Sequence, residues 1–252
     1  MDKSDADMIA LLKSFGYEAT KIEETDEKTA DFLLEHKGFK IVAELKTKGD
    51  SEGLLENENA TLRGGNVHMH FDSIGRNNRF SGLTGDAVKQ IRSVRTRLRA
   101  DFGMVIFDML EPYAPTKVEK MTTTLYGRKF AVPLNSKDKT GQYCYYCTNS
   151  DFYRHQADLN CVFILNKTRL QVCVNNLALN YEEFLGSGFL DHFEGKYLDP
   201  QKEIDAGTAM VIDSDVDRDD PEEVQRYLCS KYGVEAVALM DFSAAIASFR
   251  MD

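Results

Sequence analysis

The sequence predicts an α/β fold, with a mixed central sheet flanked by helices and a β-rich, then helical, C-terminal elaboration. Three observations carry this expectation. Residues 29–48 (TADFLLEHKGFKIVAELKTK) alternate like two strands around a tight turn at Lys37-Gly38. A helical apolar stripe from about Thr84 to Ala100 then leads into GMVIFDM, a short run apolar enough for a strand covered on both faces. Beyond residue 113 the chain reads first as strands and then as an acidic helical end.

The elements follow in order. Residues 5–15 place Met8, Ile9, Leu11, Leu12 and Phe15 on one helical face, with Gly16 as the stop. Residues 17–24 suit a first strand, and the polar turn ETDEKT leads into the hairpin. A two-residue loop at Lys37-Gly38 sets His36 opposite Phe39, so paired residue numbers sum to 75. Phe32, Leu34, Ile41, Ala43 and Leu45 then share a core face, while Asp31, Leu33, Glu35, Lys40, Val42, Glu44 and Lys46 share the other. Residues 49–83 hold few apolar positions and read as one long connection. In the next helix Ala87, Ile91, Val94 and Leu98 form the buried stripe. Later, a hairpin is expected through Asn166-Lys167-Thr168, and DPEEVQRYLCSKYG reads as a helix capped by Asp220 and closed by Gly233.

Composition bounds the function. The chain has 252 residues, 42% hydrophobic and 29% charged, enough for one large domain or a core with a second lobe. No apolar run reaches the roughly 18 residues of a membrane span, and the acidic start lacks a signal-peptide pattern, so a cytoplasmic protein without membrane contact is the expectation. The net charge of −10 is unevenly spread. Residues 61–99 hold eight Lys/Arg against two Asp/Glu, whereas residues 181–252 hold six against seventeen. A polyanionic partner is therefore compatible with the first half of the chain.

The hairpin carries the chemistry. Its register sets Asp31 directly opposite Glu44, and facing like charges destabilise a ladder. With Lys46 two residues along the same face, a bound divalent cation is the simplest reason for that pair. Hard oxygen ligands suit Mg²⁺, with Mn²⁺ able to substitute. Taken alone, Glu44-Leu45-Lys46 is more often a solvated strand face than a metal site.

Helix, three strands, connection, helix and strand, with an acid in the second strand and Glu-x-Lys in the third, resemble the PD-(D/E)XK phosphodiesterase superfamily over residues 5–110. The resemblance implies a restriction-endonuclease-like core in residues 1–112 and a Mg²⁺-dependent deoxyribonuclease, an endonuclease by preference, acting on DNA rather than RNA. By the same resemblance Asp31 and Glu44 hold the ion, Lys46 orients the attacking water, and Gln90 matches a glutamine that many relatives place beside the site. Ala30 stands where the family's proline would be.

Candidate contacts to nucleic acid follow from the basic segment: Arg76 and Arg79 in GRNNRFSG, and Lys89, Arg92, Arg95 and Arg99 on the exposed side of the helix. Arg97 lies nearer the Gln90 edge. His68 and His70 would face one side of a strand, a weaker metal candidate. Cys144-x-x-Cys147 lacks the second pair of a zinc ribbon, and Cys161 and Cys173 sit in strand-like runs where buried thiols pack well. Asp213, Asp215 and Asp217 resemble half a calcium loop, but Arg218 and Val224 occupy the positions that need Gly and Glu. Residues 113–252 match no family pattern; sheet extension, substrate recognition and a homodimer interface are the roles open to them. The competing reading is a catalytically inactive protein of the same fold that binds nucleic acid or a protein partner.

Overall fold

A computed structural model describes residues 4–23, 28–134, 140–167 and 169–249. The polar turn after the first strand lies partly outside these residues, as does Thr168 at the tip of the later hairpin. Helix α1 (Asp5–Ser14) starts at a capping box between Ser4 and Asp7 and buries Met8 and Leu12. Strand β1 (Glu18–Lys21) pairs antiparallel with β2 (Phe32–His36), and β2 with β3 (Phe39–Lys48). Lys37 and Gly38 both have positive φ, the conformation of a two-residue hairpin turn whose twist matches the strands. The register is the one the turn dictates, with Glu35 opposite Lys40 and His36 opposite Phe39.

The connection expected over residues 49–83 is instead ordered. It contains α2 (Glu52–Arg63) and β4 (His68–Ile74). Helix α2 offers little apolar surface, so periodicity does not reveal it. Strand β4 finds its partner at the far end of the chain. Helix α3 (Asn78–Leu98) starts six residues before the expected Thr84, because the Asn77 side chain accepts from the backbone N–H groups of Arg79 and Phe80. Beyond it runs β5 (Phe102–Met109), buried along its whole length and parallel to β3.

The chain beyond residue 112 adds strands to the same sheet. After α4 (Ala114–Tyr126), β6 (Lys129–Leu134), β7 (Gln142–Tyr145) and the short α5 (Asp151–Arg154), strands β8 (Cys161–Leu165) and β9 (Leu170–Val174) form the expected hairpin. They complete a mixed six-stranded sheet in the order β1-β2-β3-β5-β8-β9. Then come α6 (Tyr181–Gly186), α7 (Pro200–Asp205), β10 (Ala209–Val211), α8 (Pro221–Tyr232), β11 (Ala236–Met240) and β12 (Phe242–Ser248). Strands β10-β7-β6-β11 make a second sheet, and β12 pairs with β4. Helix α8 is capped by Asp220 and closed by Gly233, as its sequence indicates.

Both faces of the main sheet are covered. One buries Phe32, Leu34, Ile41 and Ala43 against Met8 and Leu12 of α1 and Phe184 of α6. The other buries Val42, Val105 and Val162 against Ala87, Ile91 and Val94 of α3 and Met121 of α4. Each such aliphatic side chain contributes about 2 kcal/mol of burial. The hairpin face that alternation marks as polar is thus roofed by α3, and this roof buries Glu44. Among the described residues, no helix is long and apolar enough to cross a membrane.

Candidate active site

The site is built where β3 outruns β2. Strand β2 is five residues long and β3 is ten, so β3 loses its ladder partner beyond Ala43. Asp31, just ahead of β2, fills the gap with its side chain: Oδ2 accepts the Leu45 backbone N–H at 2.8 Å. That bond fixes the Asp31 carboxylate beside Glu44, which is only 2% exposed. The Lys46 ammonium donates to Glu44 Oε1 at 2.5 Å, while Glu44 Oε2 is buried with no hydrogen-bond partner. Burial pushes the Glu44 carboxyl up to about 7; the Lys46 hydrogen bond opposes this, and the Asp31 charge adds to it.

Gln90 ties the parts together from α3. Its Oε1 accepts from Lys46 Nζ at 2.6 Å, and its Nε2 donates to the Thr29 carbonyl at 3.0 Å. Both ends of the amide are thereby used, so Gln90 acts by positioning Lys46 and the segment leading to Asp31. An ammonium has three donors; Glu44 and Gln90 take two of Lys46's. A cleft of about 390 Å³ opens above, lined by Lys28, Lys46, Leu83, Asp86, Lys89 and Gln90. Asp31 and Glu44 do not line it; Glu44 lies behind Lys46.

The four hairpin and helix candidates Asp31, Glu44, Lys46 and Gln90 therefore converge, whereas the basic candidates divide. Arg76, Lys89 and Arg92 line one cleft along α3, joined there by Arg154 and His155. Arg79 faces a separate depression with Lys48, Lys117 and Lys120. Arg95 is committed to the fold, because its guanidinium donates to the carbonyls of Ala100, Ala157 and Asp101. The sequence does not mark Lys28, Asp86 and Arg154, and it marks His155 only as a possible partner of the cysteines, not as part of the cleft along α3. Lys28 is signalled only by its place three residues before Asp31, and Arg154 by nothing local.

Two other motifs find structural employment. Cys144, Cys147, Cys161 and Cys173 are buried free thiols. Asp213 accepts from Lys231 at 2.6 Å, and Arg218 donates to the carbonyls of Tyr146, Val216 and Ser214. His70 stacks on Tyr113 with ring centroids 4.4 Å apart. Among the described residues no group of three or more His, Cys, Asp or Glu side chains converges as a metal cage. Two carboxylates suffice for an ion that keeps much of its water, as Mg²⁺ does.

A larger cavity, about 860 Å³, lies elsewhere, between α4 and the β8–β9 hairpin, with Arg128, Arg169 and Lys196 in its lining. Of the two acids in its lining, Glu111 and Glu119, the second accepts from Arg128 at 2.7 Å. Chemistry outweighs volume here, since among the described residues the Asp31–Glu44 pair combines an acid surplus with a buried, unpartnered carboxylate oxygen. Set beside known proteins, the chain matches no family model, no curated protein and no solved structure. The functional reading therefore rests on the site itself.

Proposed function

We propose that this chain is a metal-dependent nuclease with a restriction-endonuclease-like core, hydrolysing phosphodiester bonds of DNA. The observation that carries the proposal is Glu44 Oε2, a buried carboxylate oxygen without a partner, next to a second acid held in place by a backbone N–H. A buried carboxylate beside a second, half-buried one is costly unless a cation completes the pair. Asp31 and Glu44 would hold that cation. When bound, Mg²⁺ or Mn²⁺ supplies polarisation of a phosphoryl oxygen and a lowered pKa for coordinated water.

The remaining steps belong to the chain's own groups. Lys46 offers its remaining N–H to the attacking water or to a phosphoryl oxygen, offsetting negative charge as it builds. Gln90 holds Lys46 on that line. Lys28 and Lys89 at the mouth of the cleft raise its affinity for a polyanion. Hydrolysis forms one O–P bond from water and breaks one P–O ester bond, with no covalent enzyme intermediate.

Incubation of the protein with supercoiled plasmid tests the reading. Nicking or linearisation is expected with Mg²⁺ or Mn²⁺ and none with EDTA. A Glu44→Ala protein that cuts at the wild-type rate would end it.

A further inference from the structure

Toward the N-terminal half of α3 a second cleft opens, with a volume of about 600 Å³. It joins the first, because Asp86 and Lys89 line both. Four cations line it, Arg76, Lys89, Arg92 and Arg154; Lys89 is paired with Asp86 at 3.0 Å and Arg92 with Asp158 at 2.5 Å, which leaves the two arginines Arg76 and Arg154. Gly82 and Gly85 leave its floor without side chains. His155 also lines it, and its Nε2 has no partner.

The arrangement behind these cations is specific. Asp151 is fully buried, and its Oδ1 accepts the Ser81 hydroxyl at 2.6 Å. The same Ser81 oxygen accepts from Arg154 at 3.1 Å and from Arg76 at 3.2 Å. Arg76 is fixed further by Nε donating to the Asn149 carbonyl at 2.8 Å and by a bond to Asn78 Oδ1. Three of its five N–H donors are so used. Two guanidiniums thus stand side by side on one hydroxyl, locked by a buried carboxylate. Gly103 makes this closure possible: a Cβ there would lie 2.0 Å from the Asp158 carbonyl oxygen, so any other residue would push the segment after α5 away from β5.

A purely structural role accounts for Arg154, whose charge lies 3.9 Å from Asp151. It does not account for a second arginine on the same oxygen. Like charges held together repel unless an anion sits between them, and paired planar forks match the oxygens of a phosphate. Ser81 and Gln90 are nine residues apart on α3, a distance of about 13 Å at about 1.5 Å per residue. Phosphates recur along one strand of a duplex at about 3.4 Å of axial rise, so the two places are a few nucleotides apart.

We propose that this cleft is a subsite for a phosphodiester group of the substrate strand, a few nucleotides from the phosphate at Lys46, with Arg76 and Arg154 as its paired contacts. It rests on the reading of the Asp31–Glu44 site as one that takes nucleic acid, and it adds Arg154 and His155 to the surface that strand would follow, with the buried Ser81 and Asp151 positioning the arginines from beneath.

Binding of a fluorescein-labelled duplex oligonucleotide, followed by polarisation without added metal over a range of salt, tests this apart from cleavage. Arg76→Gln and Arg154→Gln should each weaken binding about tenfold and lower the slope of log Kd against log salt by about one. Arg154→Lys should keep the salt slope and recover only part of the affinity. Arg169→Gln, in the cavity between α4 and the β8–β9 hairpin, should bind as wild type. Wild-type affinity and slope in both glutamine variants, with unchanged thermal melts, would overturn the subsite; so would an equal loss in Arg169→Gln, which would mark the effect as general charge. Protection of the fold by inorganic phosphate, with duplex binding indifferent to Arg76 and Arg154, would also overturn it, in favour of a small-anion site. Failure of the hydrolytic reading is distinguishable: Glu44→Ala would then cut like wild type while the arginine variants still lose binding.

Discussion

Two buried carboxylates stand beside α3 and are balanced in opposite senses. Glu44 is 2% exposed and Asp151 fully buried, and each has one oxygen engaged and one without a partner. Around Glu44 the acids are in surplus, since Asp31 and Glu44 face the single ammonium of Lys46. Around Asp151 the bases are in surplus, since Arg76 and Arg154 share the hydroxyl that Asp151 accepts. The first centre needs a cation to be complete and the second an anion. The lesson is that a buried carboxylate does not define a role by itself; the sign of the charge left over around it does.

The comparison can be broken at several points. The largest effect is expected from Glu44→Ala, which should lower metal-dependent cleavage by at least about a thousandfold without unfolding the protein. Initial rates on plasmid, with a thermal melt as control, measure it.

Next comes the pH dependence of the metal-free protein. Glu44 ionises near 4.5 when unfolded but only near 7 when folded, because burial disfavours its charge. Between those values the folded state holds the additional proton, so stability falls as pH rises through this window. The full loss, about 3 kcal/mol, is reached above about pH 7. Below the unfolded value both states are protonated and the contribution is constant. Denaturant titrations across the window should show this slope in wild type and its absence in Glu44→Gln.

Lys46→Met should cost about a hundredfold in rate, measured at saturating DNA, because it removes charge from the cleft and leaves Glu44 unpaired. Asp151→Ala acts on the opposite centre. It should destabilise the fold by about 2 kcal/mol and weaken duplex binding, while the rate at saturating DNA stays near wild type; a collapse of that rate would erase the distinction between the two carboxylates. The smallest effect belongs to Gln90→Ala, about tenfold in rate, since it misplaces Lys46 without removing it.

What could be read from the sequence divides along the range of the interactions. The Asp31–Glu44 centre was legible because its parts are local: a two-residue turn fixes the register, and thirteen residues separate the acids. Burial of Glu44 was not legible, because alternation marks a face as polar without showing that α3 lies across it. Strand β4 was missed because its partner β12 is more than 160 residues away, and no local pattern announces such a pairing. The Asp151 centre escaped for the same reason, with seventy residues between Ser81 and Asp151. Arg95 shows the converse error. A cation on a helix flank reads as free, yet three backbone carbonyls at the end of α3 and after Gln156 hold it.

The central claim is that Asp31 and Glu44 together complete themselves with a divalent cation. Calorimetric titration of the protein with Mn²⁺ tests it most directly. The account predicts one binding event that weakens sharply in Glu44→Gln and in Asp31→Asn, and that releases protons below about pH 7 as Glu44 gives up its own. Equal Mn²⁺ affinity in wild type and both variants would contradict it.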